Sequence, residues 1–204
     1  MKTRSWLTVV AMLLATWAQA QQAKPVIIAE GGARPDDRGS ARLLYWNTKA
    51  DAAAGQVAIN YGRPVWKKAY EDKAAFDKMT NGQVWRMGSN FWTTLVTDLH
   101  VNISGRDITP GAYYLGLQRS ADGAQWSLAF IDPAGAMATH LDAFDIRKAK
   151  VDFLTPMTTE KAGEIADKLT ITLTHPKDDI RNVTMNVAWG NLALSAPIKV
   201  TVSE

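Results

Sequence analysis

Apolar and polar residues alternate with a period of two along most of this chain, and no other feature constrains its fold as strongly. Val57, Ile59 and Tyr61 interleave with Ala58 and Asn60. Leu95, Leu99, Val101 and Ile103 fall on one parity, with Asp98, His100 and Asn102 on the other. The device recurs at Trp126–Phe130, Leu169–Leu173, Val183–Trp189 and Leu192–Val200. Successive side chains of a strand point to opposite faces, so each run buries one face and wets the other. Turn chemistry separates the runs: Ser104-Gly105, Thr109-Pro110-Gly111, Asp122-Gly123 and Gly190-Asn191. The last has the Gly-first form of a type II′ hairpin, in which φ > 0 costs Gly nothing. Strands at intervals of about ten residues, joined by hairpins, predict an all-β fold. The expected architecture is an antiparallel β-sandwich of the jelly-roll or immunoglobulin-like kind, with one or two short helical insertions.

Two segments depart from the rhythm. Val65–Met79 is rich in Lys and Ala, with Trp66, Ala69, Tyr70 and Phe76 at roughly helical spacing. It is expected to form a short helix or an ordered loop over a sheet edge. Pro156–Lys168 is polar and is read as a place for one or two helical turns.

The ends define the organisation. Lys2 and Arg4, the apolar stretch Trp6–Trp17 and the small-x-small site Ala18-Gln19-Ala20 have the three parts of a secretory signal. The uninterrupted apolar run Val9–Ala15 falls well short of the roughly 20 residues that span a bilayer. The reading is therefore a signal peptide over 1–20, a Pro- and Gly-rich arm over 21–39 and a domain over 40–204, with no membrane span after cleavage. Export to the periplasm or the medium follows. Of 23 basic and 20 acidic residues, Lys2 and Arg4 leave with the signal, so 21 cations stand against 20 carboxylates. That balance removes the clustered positive excess a nucleic-acid partner requires. The chain has no Cys, which excludes thiolate zinc sites, thiol nucleophiles and thioether-linked haem. Asn102-Ile103-Ser104 and Asn182-Val183-Thr184 match the glycosylation sequon and are expected to be plain strand residues.

Three segments carry a resemblance. They are INYGRPVW at Ile59–Trp66, GQVWRMGSNFWTT at Gly82–Thr94 and VNISGRDITPGAYYLGL at Val101–Leu117. In that order they resemble the bacterial exported family catalogued as domain of unknown function 2911 (DUF2911). Its members show Tyr-x-Arg-Pro, then Val-Trp-Arg-x-Gly-x-Asn, then a Gly-rich hairpin ending in Gly-x-Tyr. The later QWSLAF and the closing VTMNVAWGNLALSAPIKV are similar to the family's end, so the likeness covers about residues 40–202. The resemblance implies an exported β-sandwich and transfers no catalytic residue. Members tend to place Gly-Arg shortly after the Arg-Pro, where this chain reads Trp66-Lys67-Lys68-Ala69.

His100, His140 and His175 lack the spacing of paired metal ligands, although His140 lies near Asp142 and Asp145. There is no Gly-x-Ser-x-Gly elbow, no Walker loop and no dinucleotide glycine loop after a strand. No catalytic, cofactor-binding or metal-ligating residue is assigned. Six Trp remain after cleavage. Trp126 and Trp189 share parity with aliphatic neighbours and read as core. Trp46, Trp66 and Trp92 are open to stacking on a ligand or filling space between sheets. Arg63, Arg86 and Asn90 carry two readings. In one they converge on an anion that a guanidinium grips bidentately. In the other they tie backbone carbonyls together at an irregular corner, with Gly82 and Gly88 supplying unusual φ/ψ.

The expected function is a non-catalytic binding or interaction module, its partner a small molecule, glycan or protein. The candidate ligand-binding residues are Arg63, Arg86, Asn90, Trp66 and Trp92. The alternative is a hydrolase of cell-envelope or extracellular material, its acid–base pair assembled only by the fold.

Overall fold

The computed structural model describes residues 37–161 and 163–202; the signal segment and the arm up to residue 36 lie outside the described residues. The alternating runs fold into twelve strands among the described residues. In chain order the first six are β1 (Arg38–Asn47), β2 (Ala52–Gly62), β3 (Val84–Arg86), β4 (Thr93–Thr97), β5 (His100–Ile103) and β6 (Arg106–Ile108). They are followed by β7 (Gly111–Arg119), β8 (Trp126–Ile131), β9 (Phe153–Thr159), β10 (Ala166–Thr174), β11 (Asn182–Gly190) and β12 (Leu192–Thr201).

The chain is all-β and antiparallel. Hydrogen bonding follows the order β1-β2-β4-β7-β8-β9-β12-β11-β10, with β3 alongside β7 and the β5–β6 hairpin alongside β12. β9 joins the two halves of this path. Its residues Phe153–Met157 pair with β8, whereas Thr158 and Thr159 pair with Ser195 and Leu194 of β12. By changing partners partway along, β9 carries the hydrogen bonding from one half of the path to the other.

Both halves feed one core. Val57, Ile59, Leu95, Leu115, Leu128 and Phe130 come from the first half; Ile171, Val183, Met185, Val187, Leu194 and Ile198 come from the second. Tyr61 of β2 reaches across, its hydroxyl donating to Ile171 O at 3.2 Å and accepting from Ile171 N at 2.9 Å.

Parity located the buried residues better than the strand ends. Leu95, Leu99, Val101 and Ile103 are all buried, and Asp98 and His100 are exposed. The run is nevertheless two strands. The Thr97 hydroxyl accepts from Leu99 N at 3.1 Å and donates to Leu99 O at 2.8 Å, turning the chain out of β4. β5 then joins the opposite half, beside β12. The Gly190-Asn191 turn is as expected: Trp189 pairs with Leu192, and φ is positive at Gly190 (59°) but not at Asn191.

The Lys- and Ala-rich insert forms a 3-10 turn, Lys68–Tyr70, and a helix α1, Lys73–Thr80. Asp72 caps α1 by accepting from Ala75 N at 2.7 Å. Pro156–Lys168 corrects the expectation of helical turns: Pro156 lies inside β9 opposite Ser127, and Ala166 already belongs to β10. Proline is tolerated there because β9 is paired on one side only at that point, so its missing N–H is not needed on the open side. Two further helical segments fall elsewhere, α2 (Pro133–Ala138) and the 3-10 segment Ala143–Lys148. Asp132 caps the first, with Pro133 at its start, and Asp142 caps the second through Phe144 N at 2.7 Å. No helix among the described residues is long and apolar enough to cross a membrane.

Candidate functional site

The irregular stretch Asn81–Asn90 links α1 to β4, and its path is set by local chemistry. Gly82 turns with φ 68° and its N–H donates to Arg119 O at 3.1 Å. Val84, Trp85 and Arg86 pair with Gln118, Leu117 and Gly116 of β7. The chain then leaves the sheet through Gly88 (φ 149°) and Asn90 (φ 64°). The Thr93 hydroxyl donates to Met87 O and closes the loop from the far side. Gly62 faces the same corner, where an added Cβ would strike the Ser89 backbone. Arg86 is turned onto this loop: its Nε donates to Gly88 O at 3.2 Å and its Nη1 to Asn90 O at 3.2 Å.

A second arginine anchors α1 to the sheet. Arg119 is 13% exposed and reaches Asp77 at 2.6 Å, Thr80 Oγ1 at 2.9 Å and Gly123 O at 2.9 Å. Its guanidinium also lies over the Phe76 and Trp126 rings, at 5.7 and 5.4 Å from their centroids. Hydrogen bonds from Lys73 and then from Arg119 hold the Asp77 carboxyl below the usual carboxylate range.

These elements enclose one side of a cavity of about 760 Å³. The corner contributes Trp85, Arg86 and Met87; the insert contributes Val65, Lys67, Tyr70 and Met79. Leu117, Trp126 and Leu169 come from β7, β8 and β10, and the β11–β12 hairpin supplies Trp189 and Leu192. The remaining wall is the 3-10 segment, through Phe144, Asp145, Arg147 and Lys148.

The interior is aromatic. Trp189 meets Trp66, Tyr70 and Trp85 at centroid distances of 5.1, 5.3 and 6.1 Å, and Phe76 meets Trp85 at 5.8 Å. Edge-to-face and tilted contacts of this kind match the charge distribution of the rings and stiffen the wall. Gly190 is built into it, since a Cβ there would overlap the Trp66 indole. Trp189 Nε1 donates to Pro64 O at 2.9 Å, whereas the buried Trp85 Nε1 has no hydrogen-bond partner among the described residues.

The rim is charged. Lys67, Arg86, Arg147 and Lys148 are cations, and Asp145, the sole carboxylate of the lining among the described residues, is held by Lys148 at 3.0 Å. Phe144 stands on the rim 80% exposed, with the Arg86 guanidinium 5.9 Å from its ring centroid.

The residues singled out from sequence are not all brought together. Arg86 lines the cavity but spends its donors on carbonyls of its own loop. Arg63 is not among the lining residues; it pairs with Asp37 at 3.6 Å, and its Nε donates to Leu169 O at 3.4 Å. Asn90 offers its backbone carbonyl to Arg86. Trp66 packs behind Trp189 and Tyr70, and Trp92 stacks on Tyr114 at 4.6 Å with the planes nearly parallel. Trp46 is half exposed at a bulge near the end of β1. His100, His140 and His175 are exposed, and no group of three or more His, Asp or Glu among the described residues is placed to hold a metal ion. Asp142 serves as a helix cap and Asp145 as the partner of Lys148.

Arg86 is the lining residue that the sequence proposed; Trp85, Trp126, Trp189, Lys67 and Arg147 are among those it did not. The helical spacing of the insert was the one signal pointing to a cover over this face. Nothing local marked the 3-10 segment as its opposite wall.

Fold and site together define a class: an antiparallel all-β domain with an aromatic cavity, walled by short helical segments and rimmed by cations. The family described as "Protein of unknown function (DUF2911)" matches residues 46–198, and the chain belongs to that family. No curated protein and no solved structure matches the chain.

Proposed function

We propose that this protein is a non-catalytic binding module, exported on the signal at its N-terminus, that takes a small organic ligand in the aromatic cavity. The observation carrying this reading is the cavity itself. Its volume of about 760 Å³ lies in the range of small-molecule sites, and its lining is mostly aromatic and aliphatic with a few polar groups at the mouth. Its walls come from helical segments laid over the sheet, and they leave Trp85 and Trp189 partly uncovered. Catalysis finds less support, because the lining holds one carboxylate and that group is already paired.

The test uses Nile red, a neutral dye whose emission rises in apolar surroundings. The mature protein is expected to bind it saturably at one site. Val65→Trp places an indole at the mouth, where Val65 is 56% exposed. It is expected to weaken dye binding by about tenfold or more, while the melting temperature stays within about 2 °C. Absence of saturable binding, or equal binding by Val65→Trp, overturns the reading.

A further inference from the structure

Resting on that pocket reading, we infer that the ligand is an organic anion with an apolar body. Its head is held at the mouth by Lys67 and Arg147, and its body lies against Trp85, Trp126 and Trp189.

Charge distribution comes first. Beyond the signal segment the chain is almost neutral, with 21 basic residues against 20 acidic. The cavity lining departs from that balance, with four cations against one carboxylate among the described residues. A cleft with low-dielectric walls focuses such a field toward its mouth and raises the local concentration of anions.

Second, the four cations are not equivalent. Arg86 is committed to Gly88 O and Asn90 O, and Lys148 to Asp145. Lys67 and Arg147 are exposed, and neither has a side-chain hydrogen-bond or ion-pair partner among the described residues. They stand on opposite structural pieces, Lys67 on the insert after β2 and Arg147 on the 3-10 segment after α2. An anion between them would bridge the two walls; a cation would meet repulsion from both.

Third, the interior offers little to a polar body. Met79, Met87, Leu117 and Leu192 line the cavity with the indoles, and among the described residues the buried side-chain donor without a partner there is Trp85 Nε1. Polar surface placed against such a wall goes largely uncompensated, so the charge of the ligand belongs at the rim.

An aromatic acid and an alkyl acid share this chemistry, and the experiment separates them. Mature protein is titrated calorimetrically at low salt with 2-naphthoate against 2-naphthamide, and with decanoate against decanol. At least one acid is expected to bind about tenfold tighter than its neutral counterpart, with the ratio shrinking as salt is raised. The pair showing the larger ratio identifies the ligand body as aromatic or alkyl. In the double variant Lys67→Met/Arg147→Met the ratio is expected to fall to about one, with Nile red still bound saturably at one site. Lys49→Met/Lys177→Met, two exposed lysines outside the lining, is expected to keep the wild-type ratio. Equal binding of acids and neutral analogues by the wild-type protein overturns the anion, as does a ratio that survives in the double variant. Failure of Nile red to bind overturns the pocket reading beneath it, so the two failures are distinguishable.

Discussion

Replacing Tyr61 with phenylalanine deletes one oxygen, and the structure assigns that oxygen a specific task. β10 is the last strand of the hydrogen-bonding order, so Ile171 has no strand beside it on that side. The Tyr61 hydroxyl stands in for one, accepting from Ile171 N at 2.9 Å and donating to Ile171 O at 3.2 Å. Tyr61 is 3% exposed and Ile171 2%, so water has little access to replace the lost contacts. A buried amide left without a partner costs about 1–3 kcal/mol, and the ring of Phe restores none of it. For a domain of this size the loss corresponds to a melting temperature lower by roughly 2–12 °C. Urea unfolding would supply the stability difference, and amide exchange the local one: protection at Ile171 should fall more than at Leu169 or Leu173. Tyr113→Phe is the control, because its hydroxyl bonds Thr109 O at 2.9 Å at the surface, and a change below about 0.5 kcal/mol is expected. A Tyr61→Phe variant as stable as wild type, with unchanged exchange at Ile171, would refute the view that this hydroxyl completes the sheet edge.

Two further outcomes concern the cavity wall and the helix beside it. Gly190→Ala places a methyl group in the Trp66 indole and forces a φ of 59° on a residue with a Cβ; about 2–4 kcal/mol of destabilisation is expected, with altered near-ultraviolet circular dichroism from the displaced tryptophans. The Asp77 carboxyl is lowered from 3.8 by the Lys73 and Arg119 hydrogen bonds, so it stabilises the fold above its unfolded value and loses that contribution as pH falls through the depressed folded value. Asp77→Asn should therefore unfold at lower urea than wild type at pH 7, the gap closing below about pH 3.8; a gap independent of pH would exclude the ion pairs as its source.

Legibility from sequence followed the range of the interactions. The alternation of Val57, Ile59 and Tyr61 or of Val183, Met185 and Val187 reports which face of a strand is buried, because burial acts on each residue directly. The Gly190-Asn191 turn was legible because its φ requirement is local. Where strands end was harder to read: Asp98-Leu99 looks like an uninterrupted alternation, yet one Thr97 hydroxyl suffices to break it. The polarity of Pro156–Lys168 suggested helical turns, and instead Pro156 sits in a strand whose other side is open. The helical segments at Pro133 and Ala143 were missed because each is six residues long, too short to show a period, although Asp132-Pro133 and Asp142 are their caps.

Arg63 and Arg86 show the same limit at the site. Sequence presented two arginines beside turn residues and left open whether they meet. The fold gives one to Asp37 and Leu169 O, and the other to carbonyls two and four residues further along its own loop.

By itself the sequence determined the antiparallel all-β class, the buried parity of several strands, the tight turns and the likeness to the family to which the chain belongs. Each depends on neighbours in the chain or on water. Only the tertiary structure decided that Trp85, Trp126, Trp189, Lys67 and Arg147 line one cavity. Those residues lie on five segments between positions 67 and 189. Their proximity arises from strand order and from the packing of helical segments over a sheet, which no local periodicity encodes.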